Sequence, residues 1–117
     1  MVDSARSRFS GLLTYDMHCG ALTANDFYGP GSNHLWEDGG FDIVGISAFF
    51  PLVDSLPTIV LSVDTLMNSW EQIFNEHLIP LKKNNPNLPM LLLEFGYVNA
   101  IESPYQPNYS EFEPWIF

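Results

Sequence analysis

The sequence predicts an α/β chain of three parallel strands with one long helix. Three observations carry this expectation. Two segments, "FDIVGISAFF" at 41–50 and "LPMLLLEF" at 88–95, are almost continuously apolar, as strands buried on both faces of a parallel sheet are. Between them, 63–84 repeats apolar residues at spacings of three and four, which is one face of a helix. The order strand, helix, strand then implies a parallel crossover.

The elements follow in chain order. The first strand is "GLLTYDM", 11–17. The connection after it, "HCGALTANDFYGPGSNHLWEDGG", is rich in glycine and polar residues and has room for a short helix around 32–38. The second strand, 41–50, ends at Pro51. The helix carries Val63, Leu66, Met67, Trp70, Ile73, Phe74, His77, Leu78 and Leu81 on one face. Ser62 or Asp64 suits its N-cap. Pro80 removes a backbone donor and should kink or thin its last turns. "NNPNLP" ends it, because residues before proline avoid helical geometry. The third strand is 88–95, and 100–117 reads as a long loop with three prolines. One helix covers only one side of strands this apolar. The whole chain, 1–117, is therefore expected to be a piece of a larger α/β architecture, prone to self-association through exposed strand edges.

Composition narrows the function. The chain has 14 acidic and 4 basic residues and a formal net charge of −10. Such a surface repels phosphate backbones and anionic bilayers, so neither nucleic acid nor membrane is an expected partner. No apolar run approaches the ~20 residues of a membrane span, and "MVDSARSRFSG" lacks the apolar core of a signal peptide. Cys19 is the single cysteine, so no internal disulfide is expected. His18, Cys19 and His34 match no common zinc spacing; no metal or cofactor is implied. A sequon stands at Asn108.

The chemistry concentrates at the strand ends. Glu94 follows the run "MLLL" directly and precedes Phe95, Gly96 and Tyr97. In barrels of parallel strands the C-terminal strand ends converge on the active site, and a carboxylate there is a candidate catalyst. The alternative is a structural glutamate that caps backbone or pairs with an arginine. "LTYDMH" brings Tyr15, Asp16 and His18 to the end of the first strand. "ISAFFP" brings Ser47, Phe49 and Phe50 to the end of the second. Hydroxyl, carboxylate, imidazole and flat rings suit a sugar, although core packing is the more usual role for each one alone.

Together, "GLLTYDMH", "LWEDGGFDIVGISAFFPLVD" and "PMLLLEFGYVNA" resemble the fifth, sixth and seventh strands of a retaining glycoside hydrolase (β/α)8 barrel, which implies a partial TIM barrel. The nearest resemblance is to glycoside hydrolase family 113, which includes β-mannanases, within the cellulase-like clan, and it spans roughly residues 5–105. It implies that Glu94 is the nucleophile, and that Tyr15, His18, Trp36, Phe49, Phe50 and Tyr97 line a glycan groove. The family's acid/base, a glutamate after an asparagine on the fourth strand, has no counterpart upstream of Leu12. Phe49 stands where the family has tyrosine, and Leu93 where a small hydroxyl residue is common. The expectation is a C-terminal-half fragment of a retaining O-glycosyl hydrolase acting on a β-linked glycan, carrying the nucleophile and inactive alone. The alternative is a non-catalytic carbohydrate-binding or scaffold module of the same fold.

Overall fold

The computed structural model describes residues 2–23 and 35–107. Its elements are helix α1 (Val2–Arg6), strand β1 (Thr14–His18), helix α2 (Cys19–Thr23), helix α3 (Leu35–Asp38), strand β2 (Ile43–Ser47), helix α4 (Val63–Ile73), a π-helical turn (Phe74–Leu78), helix α5 (Ile79–Asn84) and strand β3 (Met90–Glu94). His34, the first residues of the short helix expected at 32–38, Asn108 and the end of the expected C-terminal loop lie outside the described residues.

The three strands form one parallel sheet in the order β1-β2-β3. This is the α/β arrangement that the apolar runs and the intervening helix predicted. Each strand is shorter than its apolar run, because the flanking residues leave the ladder to enter loops. Side chains alternate across the sheet. Val44 and Ile46 of β2 are fully buried, and they pack with Met17 of β1 and with Ile73, Leu78 and Leu81 of the helical layer. That face is closed, and Trp36 of α3 joins the same core.

The other face is open. Gly45, at the centre of β2, belongs to it: a Cβ there would lie 2.5 Å from Leu93 Cδ1 and 2.7 Å from Thr14 Oγ1. Neighbours from both flanking strands thus lean over the glycine, and a larger residue would have to push them aside. β3 departs from the expectation of burial on both faces. Leu91, Leu92 and Leu93 are 46%, 39% and 42% exposed, because β3 is an edge strand here and only β2 has a neighbour on each side.

The long helix is one rod with a defect. Ser62 caps it, its Oγ accepting from Thr65 N at 3.1 Å, which satisfies one orphan donor of the first turn. The α-helix gives way to the π turn just before Pro80, and Ile79 N–H donates to Phe74 O, five residues back. Pro80 cannot donate, and the widened turn is how the helix passes it without breaking. Of the expected apolar face, Ile73, Leu78 and Leu81 are buried, whereas Val63, Met67 and Phe74 are exposed. Sheet β1-β2-β3 is too narrow to cover the whole stripe. Near the N-terminus, Arg6 pairs with Asp42. The guanidinium, together with the Leu13 amide, holds the Asp42 carboxyl below its ordinary range. This ties α1 to the start of β2. Among the described residues no helix is long and apolar enough to cross a membrane.

Candidate active site

The three strands end side by side, and each contributes at least one polar group to the open face. Asp16 stands on β1, Ser47 on β2 and Glu94 on β3. Ser47 Oγ lies 2.8 Å from Asp16 Oδ2 and 3.2 Å from Glu94 Oε2. Ser47 is buried, and both carboxylates are exposed. One hydroxyl therefore sits between two carboxylates, and their nearest oxygens are no farther apart than these two contacts laid end to end. The hydroxyl carries a single hydrogen, so it donates fully to only one carboxylate at a time.

Glu94 reaches this face because β3 is irregular. Ile46 pairs with Leu92 but Ser47 pairs with Glu94, so Leu93 is an extra residue in the ladder. In a regular strand Leu93 would stand beside Ser47, and Glu94 would turn toward the helices, since a one-residue slip exchanges the faces. The bulge keeps Leu93 against Gly45 and also brings Glu94 beside Ser47. Bulges of this kind re-aim side chains. Pairing resumes beyond it, with Ala48 N–H donating to Glu94 O at 2.7 Å. Among the described residues no arginine pairs with Glu94.

The other candidates divide between the two faces. His18 ends β1 on the face of Asp16, opposite Ser47 in register. Its Nδ1 accepts from Gly20 N–H at 3.1 Å. Phe49 is half-buried, and its Cε1 comes within 3.9 Å of where a Cβ on Gly96 would lie, two residues past Glu94. Tyr15 goes elsewhere. It pairs with Val44 on the closed face and leans on Phe41, with centroids 6.3 Å apart; Asp16 takes the place beside Ser47. Trp36 is 0% exposed, with its indole N–H donating to Tyr15 O at 2.8 Å. Phe50 is 1% exposed, stacked on His77 and edge-on to Trp70. Neither offers a ring face to a ligand; both are core residues, a correction to the expectation that they line a groove.

Tyr97 also turns to the helical layer. Its hydroxyl donates to Phe50 O at 2.8 Å, and its ring meets Trp70 and Phe95 edge-on. Burial, with a smaller contribution from the nearby Cys19, pushes its phenol well above the ordinary range. Burial likewise raises the Cys19 thiol. A phenol whose folded pKa is raised is deprotonated more readily in the unfolded chain. Its stabilising effect is complete below the ordinary tyrosine value of about 10 and fades as pH rises beyond it. Thermal melts from pH 8 to 11 should therefore show falling stability above pH ~10. Tyr97→Phe should flatten that fall, at a cost near neutral pH of about 1 kcal/mol for the lost hydrogen bond.

Sequence reasoning placed Asp16 and Ser47 at strand ends without selecting them. The signal available was alternation: both sit one position from a buried apolar residue, Met17 or Ile46, and so belong to the opposite face. Among the described residues no three His, Cys, Asp or Glu side chains converge to hold a metal ion. Comparison with protein-family models, with curated proteins and with solved structures finds no match.

Proposed function

We propose that the chain is part of a retaining glycoside hydrolase acting on a β-linked glycan, with Glu94 as the nucleophile. The observation that carries this reading is the bulge that turns Glu94 onto the open face, at the C-terminal end of a parallel strand, beside Ser47 and Asp16. In this reading the open face belongs to the interior of a (β/α)8 barrel. Glu94 attacks the anomeric carbon, and a glutamate on a further strand, beyond this chain, protonates the leaving oxygen. Ser47 orients the attacking oxygen, and its bond to Asp16 holds the hydroxyl in place. His18 and Phe49 are the groove residues that this geometry retains.

The test uses a longer protein that contains this chain and supplies the second carboxyl. A 2-deoxy-2-fluoro-β-mannosyl fluoride reacts without acid assistance, because fluoride leaves unprotonated. The carboxylate–C1 bond forms as the C1–F bond breaks, and the fluorine at C2 slows hydrolysis of the ester. Peptide mapping should find the sugar on Glu94. A label on another residue sinks the assignment. The chain alone, lacking the acid/base, should show no turnover of mannan or aryl glycosides, and robust hydrolysis by it would refute the reading.

The exposed leucines of β3 and the open face of the sheet lead to a second expectation. In a barrel these surfaces are covered by further strands; alone they drive association. The isolated chain should self-associate and sediment as oligomers. A monodisperse monomer would count against the partial-barrel reading.

A further inference from the structure

On the helical side of the sheet, away from the carboxylates, the fold forms a groove of about 440 Å³. One wall is the flank of α4, with Val63, Met67 and Trp70. Phe95 and Val98, just past β3, stand opposite, and Pro104 belongs to the lining. Among the described residues no Asp, Glu, Lys, Arg or His lines it. The α4 wall is bare: Val63 is 73% and Met67 63% exposed. A contiguous apolar patch left in water marks a contact surface.

Three observations name what covers it. The first is where the described chain stops. It ends at residue 107, three residues after Pro104, so the segment that follows starts beside the groove. The second is composition. Residues 108–117 read "NYSEFEPWIF", and Tyr109, Phe112, Trp115, Ile116 and Phe117 make half of them apolar. Ten residues reach at most about 35 Å when extended, and α4 needs only roughly 10 Å from Val63 to Trp70. The third is direction. β1, β2 and β3 stand in order, with α4 and α5 as the crossover between the last two. A right-handed continuation from β3 keeps the next connection on the same face of the sheet. A short tether also gives such a segment an effective concentration in the millimolar range, so a modest apolar contact is enough to hold it.

We propose that residues 108–117 dock back onto this groove, with Phe112 and Trp115 against Met67 and Trp70, and cover the flank of α4 that the sheet leaves bare. The contact lies away from Asp16, Ser47 and Glu94 and does not rest on their role. It also leaves the open face of the sheet and the β3 edge to other strands, so it forms within each chain whether or not chains associate.

The experiment places one cysteine in the segment, Glu113→Cys, and a second at either of two positions in the full chain, then adds a short bismaleimide. Met67→Cys stands in the groove. Asp54→Cys does not line it, yet lies close to the root of the segment, because Leu52 and Val53 N–H both donate to Pro104 O. Met67 and Asp54 are exposed, so neither change should disturb the fold. Cys19 is buried and stays out of the reaction. Heavy-isotope-labelled and unlabelled chains are mixed first, so peptide mapping separates links within a chain from links between chains in any state of association. Links within a chain should form about ten-fold faster at Met67→Cys than at Asp54→Cys. Adding Phe112→Asp and Trp115→Asp should remove that preference. Equal rates at the two positions, or a preference that survives loss of both rings, overturns the proposal. If the links at Met67→Cys join labelled to unlabelled chains instead, a second copy covers the groove and the proposal fails.

Discussion

Glu94→Gln, made in a retaining glycosidase that contains this chain, should lower kcat on the order of 10⁴-fold, the scale of removing a covalent nucleophile. The amide has nearly the shape of the carboxylate, and its oxygen can still accept from Ser47 Oγ. The geometry of the bulge and the open face should therefore survive. What is lost is the ability to form a glycosyl ester. KM and the far-UV spectrum should change little, which separates a chemical defect from an unfolded one. Two neighbouring variants sharpen the result. Ser47→Ala removes the hydroxyl between the carboxylates but leaves both of them, so it should reduce kcat far less than Glu94→Gln. Asp16→Asn keeps an acceptor for Ser47 and should be milder still. If Asp16→Asn were instead the most damaging of the three, the nucleophile would lie on β1 rather than on β3. If Glu94→Gln kept its rate, Glu94 would be structural and the scaffold alternative would stand.

The bulge explains both what the sequence revealed at this site and what it concealed. "MLLLE" declares a buried parallel strand with a carboxylate at its end, and the strand is there. Strict alternation along that run, however, puts Leu91 and Leu93 on one face and Glu94 on the other. Nothing in the residue types signals that one leucine is extra; the register with β2 decides it, and register depends on the partner strand. The aromatic residues were misplaced for a related reason. Trp36, Phe50 and Tyr97 have the rings that stack on sugars, but the same rings are the largest apolar volumes available to close the gap between the sheet and its helices. A sequence states ring type and leaves face undetermined, and in a sheet with one covered face most large rings go to the covered side. The long helix was legible from its apolar stripe, and Pro80 signalled a disturbance near the end. The form of that disturbance, a π turn that starts at Phe74, follows from the need to pass a residue with no donor.

Trp36→Ala should test that division between groove and core. The indole is fully buried among the side chains that join the sheet to its cover, and its N–H donates to Tyr15 O. Truncation removes a large apolar volume and the shorter of the two side-chain hydrogen bonds to that carbonyl, which then keeps the Thr14 hydroxyl at 3.2 Å. Substitutions of this kind cost roughly 3–5 kcal/mol. The total stability of a small domain is only about 5–15 kcal/mol, and a sheet with one open face belongs at the lower end. The variant is therefore expected to be largely unfolded, or to lose its urea transition altogether when followed by circular dichroism. Trp36→Phe retains most of the volume but not the donor, so it should fall between, losing about 1–3 kcal/mol for the lost hydrogen bond and the smaller ring. A tryptophan lining an open groove behaves otherwise: its removal changes stability by roughly 0.5 kcal/mol or less and weakens glycan binding instead. An unchanged urea midpoint for Trp36→Ala would return Trp36 to the groove and show that the layer over β1 is built differently.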